Sequence, residues 1–182
     1  MNRILLLGLC ILGLSFAVIA VYMIINVNHQ YPEKKVEYIS IGKAEDVEEN
    51  IKMTVLSCKW EGQDEIIKKY GETSEVGDDT NSKTALVSVN LENTTQSSKI
   101  IKLYNIYIEK KGYCNGLSPE LFTLCNNKNM ELEIDSGVST TVILTYTVYE
   151  KQFPRSQWNN LDKQEFYLAN QRYPIKKCWY IG

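Results

Sequence analysis

From Ile4 to Val27 no side chain is charged, and this run constrains the chain more than any other feature. At about 1.5 Å of rise per residue, one helix of that length crosses a hydrocarbon core of roughly 30 Å. Three fates compete for it. Lipidation needs a small residue before the modified cysteine and the apolar stretch ahead of it. Cys10 instead follows Leu9 and precedes most of the run. Cleavage near Ala20, after Val18-Ile19, fits a small-residue pattern, but Val21-Tyr-Met-Ile-Ile25 continues the apolar run beyond it. A retained anchor over residues 1–27 is therefore the leading expectation, with secretion after cleavage near Ala20 as the alternative. Arg3 precedes the run, and Lys34 and Lys35 follow it among Glu33 and Glu37, so the balance of Lys and Arg leaves the orientation open.

Residues 28–35 are polar, contain Pro32 and read as a stalk; residues 36–182 are long enough for one domain. The chain after Val27 carries all 22 acidic residues and every Lys and Arg except Arg3. Such near balance argues against a nucleic-acid or anionic-lipid surface, because neutralising phosphates takes clustered Lys and Arg. The pairs Lys68-Lys69, Lys110-Lys111 and Lys176-Lys177 are separated and read as solvated strand ends or loops. The membrane is the implied partner, and nucleic acid is not.

Four cysteines lie beyond the apolar run, Cys58, Cys114, Cys125 and Cys178. An even number behind an export segment predicts two disulfides and an oxidising compartment outside the cell membrane. Three connectivities are open. Loop length favours Cys114 with Cys125, which leaves Cys58 with Cys178. Zinc is disfavoured by the absence of a Cys-x-x-Cys pair and by a single histidine, His29, next to the membrane.

The rest of the chain is dominated by period-two patterning. Val36–Ile41 reads as a first strand, followed by an acidic turn over Ala44–Asn50. Ile51, Met53 and Val55 alternate with polar residues, and then Cys58 and Trp60 take the other parity, which predicts a bulge or a strand buried on both faces. Asp64–Tyr70 suggests a turn or two of helix before Gly71. Ala85, Val87, Val89 and Leu91 mark a half-buried strand. Tyr104, Ile106 and Ile108 form another row. Met130–Ile134 and Thr140–Tyr149 read as a hairpin turning at Asp135-Ser-Gly137. A last strand runs from Tyr173 to Tyr180. Seven or eight short strands predict an all-β, antiparallel sandwich behind one transmembrane helix.

The succession Leu86-Val-Ser-Val-Asn-Leu-Glu-Asn-Thr-Thr95, Leu103-Tyr-Asn-Ile-Tyr-Ile108 and Leu132–Tyr146 resembles the small immunoglobulin-like domains of exported and membrane-anchored proteins in Gram-positive bacteria. Most of those are domains of unknown function. The resemblance implies an immunoglobulin-like sandwich facing outside and brings no activity with it. Many of those domains carry a lipobox, from which this sequence departs.

With His29 alone, no Ser-His-Asp or Cys-His arrangement can be assembled in the domain, and no glycine-rich phosphate loop is present. No cofactor is implied. Asp78-Asp-Thr-Asn81 offers oxygen ligands but lacks the spacing of a calcium loop. Asn93-Thr-Thr95 matches a glycosylation acceptor, which matters only in a eukaryotic secretory pathway. The aromatic surplus is more informative. Tyr104 and Tyr146 fall on apolar rows, whereas Tyr107, Tyr113 and Tyr149 fall off them, and Trp158 and Trp179 lie near the polar C-terminal stretch. These five are the candidate binding surface for an envelope protein or a glycan, set against the plainer reading that they cover sandwich edges. The sequence thus predicts a single-pass, outward-facing, immunoglobulin-like binding or interaction module that is not an enzyme. The alternatives are a secreted carboxylate-dependent hydrolase and a structural subunit of an envelope complex. The spacing of Gly8 and Gly13 misses the Gly-x-x-x-Gly pattern and weakens the last of these.

Overall fold

The computed structural model describes residues 3–32, 35–77, 81–170 and 174–182, in two compact units, Met1–Lys35 and Val36–Gly182. The calcium reading at Asp78 and Asp79, the stalk residues Glu33 and Lys34, and Tyr173 of the expected last strand lie outside the described residues.

The first unit is helix α1 (Arg3–Gln30), which continues through Asn28 and so takes in the first residues of the expected stalk. Its portion Cys10–Gln30 has a mean hydropathy of 2.4 and is long and apolar enough to cross a membrane, a property that a signal sequence shares. Within this stretch Ser15 Oγ donates to the Ile11 carbonyl one turn back at 2.9 Å.

The second unit is a β-sandwich. Its first sheet has the strand order β1 (Lys35–Ile39), β11 (Ile175–Tyr180), β10 (Tyr167–Ala169), β6 (Tyr107–Lys110) and β7 (Tyr113–Asn115). The second has the order β2 (Glu45–Glu48), β3 (Ile51–Gly62), β4 (Ser82–Asn93) and β9 (Ser139–Tyr149), and β5 (Lys99–Lys102) pairs with β8 (Glu131–Ile134). The ladders joining β11, β10, β6 and β7, those joining β2, β3, β4 and β9, and the β5–β8 pair are all antiparallel. Between the two larger sheets, Met53, Val55, Val87, Val89, Leu144 and Tyr146 meet Ile108, Leu168 and Trp179 in one core. The Tyr146 hydroxyl, the polar handle of a buried ring, donates to the Ile106 carbonyl at 3.0 Å.

Two short helices, α2 (Gln63–Tyr70) and α3 (Pro119–Asn126), cover the other face of the second sheet. There Ile66, Val76, Leu86 and Leu121 form a separate apolar cluster. Strand β4 is buried on both faces, so Ala85-Leu86-Val87 reads as a continuous apolar run where a half-buried strand would alternate.

The long strands, the α2 turns and the parity change in β3 follow the sequence expectation; the ladder register shifts between Val55 and Ser57, which identifies a bulge. Other expectations are corrected. Eleven strands are present among the described residues rather than seven or eight. The acidic turn over Ala44–Asn50 contains β2, whose Val47 alone is fully buried. Residues Leu103–Asn105 form a 3₁₀ turn, leaving Tyr104 exposed. The expected hairpin does not form: β8 pairs with β5 and β9 with β4. The turn between them docks on the end of β4, where the Gly137 N–H donates to the Asn93 carbonyl at 3.1 Å and the Asn93 N–H to the Val138 carbonyl at 3.0 Å. Gly137, at φ 67, supplies the left-handed residue this turn requires. Asn93 is fully buried and its Nδ2 donates to the Ser97 and Ile134 carbonyls, so its amide is committed to the fold.

Candidate functional site

The outward face of the five-stranded sheet gathers polar and aromatic side chains. Ile108, Leu168 and Trp179 point into the core, so their neighbours along each strand point out. The register sets Glu109 opposite Tyr167 and Tyr167 opposite Tyr180, with Cys114 opposite Glu109 on the other side. The adjacent row holds Tyr107, Ala169 and Cys178. Tyr38, from the edge strand β1, stacks on Tyr167 with ring centroids 5.2 Å apart, and Tyr167 stacks on Tyr180 at 5.7 Å, both tilted. Tyr38 is 68% exposed and Tyr180 38%. These are rings that an isolated domain leaves in water although they are large enough to anchor a partner.

Beside the tyrosines, Lys176 Nζ bridges both carboxylate oxygens of Glu109, at 2.5 and 2.6 Å. Burial disfavours the Lys176 ammonium, but the hydrogen bond and charge of Glu109 outweigh it and hold the pKa above the ordinary lysine value. The pair covers Cys178, whose thiol is buried although it faces outward and lies 3.5 Å from Glu109 Oε1. Tyr38, Tyr167, Glu109, Lys176, Gln164 and Glu165, with Lys110 and Lys111, line a concavity of about 660 Å³. The Tyr167 hydroxyl donates to Glu165 at 3.4 Å. Lys110 Nζ donates to Gln157 and Gln164 and sits over the Phe153 and Phe166 rings at 5.4 and 5.7 Å. Burial lowers its pKa.

Of the five aromatic residues predicted as a surface, only Tyr107 lies on this face. Trp179 is wholly buried in the core and Trp158 nearly so, packed on Phe153 with Lys83 Nζ 5.0 Å from its ring centre. Tyr113 is half-buried, stacked on Phe153 at 4.6 Å and edge-on to Phe166. Tyr149 is half-buried, and its hydroxyl donates to the Glu75 carbonyl at 2.8 Å. The segment from Phe153 to Phe166 supplies the rings against which Tyr113 and Trp158 pack. Tyr38, Tyr167 and Tyr180 were missed. The one signal for Tyr180 was its parity opposite Trp179 and Ile181.

The disulfide expectation is corrected as well, since all five cysteine side chains are thiols in this structure. Cys58 packs into the core from the second sheet, whereas Cys178 faces outward from the first, so a full sheet separates them. Cys114 likewise faces outward from the first sheet, while Cys125 packs with the apolar cluster behind the second and contacts the Tyr70 hydroxyl. Bridging either pair would require Cα atoms within about 7 Å. The loop between Cys114 and Cys125 is held another way. Ser118 N–H donates to the Thr145 carbonyl at 2.8 Å, Thr147 N–H to Ser118 Oγ at 3.0 Å, and Asn115 Nδ2 to the Thr147 carbonyl at 2.7 Å.

Among the described residues one carboxylate is fully buried, Glu61, whose Oε1 accepts from Lys59 at 2.6 Å and from Lys69 at 2.7 Å. Among the described residues, no three His, Cys, Asp or Glu side chains converge as a metal site. A second depression of about 560 Å³, lined by Glu48, Tyr104, Asn105, Tyr107 and Asn170, lacks the stacked rings.

The model of a domain of unknown function, DUF5028, matches residues 33–177. No curated protein matches the chain. Among solved structures, the chain is similar to an uncharacterized beta-sandwich protein from Clostridium difficile 630, at 13% identity over 82% of this chain and 97% of that one, with a TM-score of 0.49. It is similar to the yjhA protein from Bacillus subtilis at 13% identity, over 79% and 99%, with a TM-score of 0.48. A functionally unknown protein from Listeria monocytogenes EGD-e matches at 15% identity, over 70% and 71%, with a TM-score of 0.44.

Proposed function

The chain belongs to the DUF5028 family of domains of unknown function, and we propose that it is a non-enzymatic binding module whose recognition face is the outward side of the five-stranded sheet. The stacked, solvent-exposed Tyr38–Tyr167–Tyr180 group carries this reading. Tyrosine buries large area with few rotatable bonds, and its hydroxyl keeps the ring wettable while no partner is present. The strands that hold Tyr167 and Tyr180 pack Leu168 and Trp179 into the core, so the rings stand on a rigid platform. The carboxylates lining the concavity support binding rather than hydrolysis, because Glu109 is engaged by Lys176 and Glu165 by the Tyr167 hydroxyl.

In this reading helix α1 is a retained single span and the sandwich is an immunoglobulin-like module facing outside, on hand to meet other envelope components. The apolar composition of Cys10–Gln30 supports the span. Two antiparallel sheets packed face to face support the immunoglobulin-like layout, from which α2 and α3 depart.

The test is site-specific photo-crosslinking of the full chain in its native membrane. A benzophenone side chain at position 38 or 180 is expected to capture envelope material, and one at Leu56, exposed elsewhere on the domain, is not. Equal capture at all three positions, or none at positions 38 and 180, refutes the assignment of this face.

A further inference from the structure

We infer that the ligand of this face is an uncharged oligosaccharide, with sugar rings lying on Tyr38 and Tyr167 and hydroxyl groups bonded by Gln164, Glu165 and the Glu109–Lys176 pair. The inference rests on the reading of this face as the recognition surface and names what it recognises.

Charge points to a neutral ligand. Glu109 and Lys176 neutralise each other at 2.5 Å. The Lys110 ammonium is satisfied by two glutamine side chains and two aromatic rings. Lys111 and Glu165 at the rim are of opposite sign, so the lining, three lysines against two glutamates, keeps a net charge of only +1, that of Lys110. A cationic polymer is disfavoured, and a single net charge held against two aromatic rings gives a polyanion little field to follow.

Backbone topology argues against an extended peptide. Strand addition needs unpaired N–H and C=O groups at a sheet edge. The concavity lies over β10 and β6, each hydrogen-bonded to a neighbour on both sides. Only side chains are left to make polar contacts. They are of the kinds that serve sugar hydroxyls, namely carboxylate and amide oxygens that accept and ammonium and amide groups that donate. The electron-rich face of a tyrosine ring attracts the weakly positive C–H groups on the flat side of a pyranose. A volume of about 660 Å³ lies within the range of roughly 300–1,000 Å³ typical of small-ligand sites, which suits two or three sugar rings.

The full chain in nanodiscs is titrated calorimetrically with a panel of neutral tetrasaccharides, α- and β-linked, of hexose and of N-acetylhexosamine, with oligoglutamate and oligolysine peptides as charged probes. The expected result is saturable binding of at least one tetrasaccharide and of neither peptide. Tyr38→Ala and Tyr167→Ala weaken it at least tenfold, and Tyr104→Ala changes it less than twofold. Tyr38 is exposed enough that its replacement leaves the fold intact, which circular dichroism checks. If no tetrasaccharide binds while benzophenone at position 38 still captures a protein, the face is a recognition surface but the glycan assignment is wrong. Sugar binding that persists unchanged in both tyrosine variants also overturns it. Failure of both crosslinking and titration removes the underlying reading too.

Discussion

Asn126, the last residue of α3, holds Ile143 of β9 by both polar groups of its peptide: Nδ2 donates to the Ile143 carbonyl at 2.9 Å, and the Ile143 N–H donates to Oδ1 at 2.8 Å. The side-chain amide thus imitates a neighbouring strand. Strand β9 is the edge of its sheet, and an open edge is a template for pairing with another molecule. Ser118 and Asn115 cap the next stretch of this edge, at Thr145 and Thr147, in the same manner.

Asn126→Ala is therefore expected to destabilise the domain by about 1–2 kcal/mol, since it leaves a strand N–H and C=O without partners. Ser118→Ala, which orphans the Thr147 N–H, costs about as much. Urea midpoints measure the loss. Size-exclusion chromatography checks its second consequence, concentration-dependent self-association of the double variant. A double variant that stays monomeric argues that the cap is not an edge guard.

Glu61 contributes stability that acid removes. Burial raises its pKa, but hydrogen bonds from Lys59 and Lys69 prevail and hold it below the ordinary carboxylate value of 4.5. A lowered folded-state pKa gives stability that is present above 4.5 and is lost as pH falls through the folded value. Replacing either lysine alone costs about 1 kcal/mol or less, because both ammonium groups are largely solvated. Lys59→Met with Lys69→Met leaves a buried carboxylate without a counter-charge and costs about 3 kcal/mol. In that variant burial acts unopposed, so the loss of stability begins at higher pH. Thermal unfolding between pH 7 and 3 measures both effects; coincident pH profiles for the wild type and the double variant would contradict the assignment.

The thiols are expected to differ sharply in reactivity. Burial pushes the Cys58 pKa up to about 12, and Cys178 is enclosed beneath the Glu109–Lys176 pair. Exposed Cys114 should alkylate in the folded protein, whereas Cys58 and Cys178 should need denaturant, because only an accessible thiolate reacts. Pulsed alkylation followed by peptide mass mapping resolves the sites. Non-reducing peptide maps that contain Cys58 linked to Cys178, or Cys114 to Cys125, would restore the pattern expected from spacing.

Two adjacent aromatic residues should part company. Trp179→Ala opens a cavity in the core and is expected to cost about 3–5 kcal/mol. Tyr180→Ala, one residue on and facing outward, should cost less than about 1 kcal/mol. Denaturant titrations of the two variants make the comparison. Equal losses would mean that the outward tyrosine is part of the core rather than of a recognition face.

Where a signal is local, the sequence determined the structure. An uncharged run sets a membrane-competent helix, and apolar rows of period two, such as Ala85, Val87, Val89 and Leu91, mark β4 and β9 as strands, because covalent geometry alone gives strands a period of two. The parity change after Val55 was legible as a bulge for the same reason. Strand partnership and facing are not local properties. Whether Met130–Ile134 pairs with the next strand or with β5 depends on which arrangement buries more apolar surface, and here the chain crosses between sheets at Asn93. The cysteines suggested disulfides by their number alone, and the tertiary structure set each expected pair apart, with a sheet between Cys58 and Cys178 and the sandwich between Cys114 and Cys125. The candidate site follows the same rule. Tyr107 could be picked out from its place off an apolar row, whereas Tyr38 and Tyr167 come from opposite ends of the domain and meet only because β11 and β10 lie beside β1. Burial of Trp179 beneath them is what turns their rings toward solvent, and that burial is a property of the whole core.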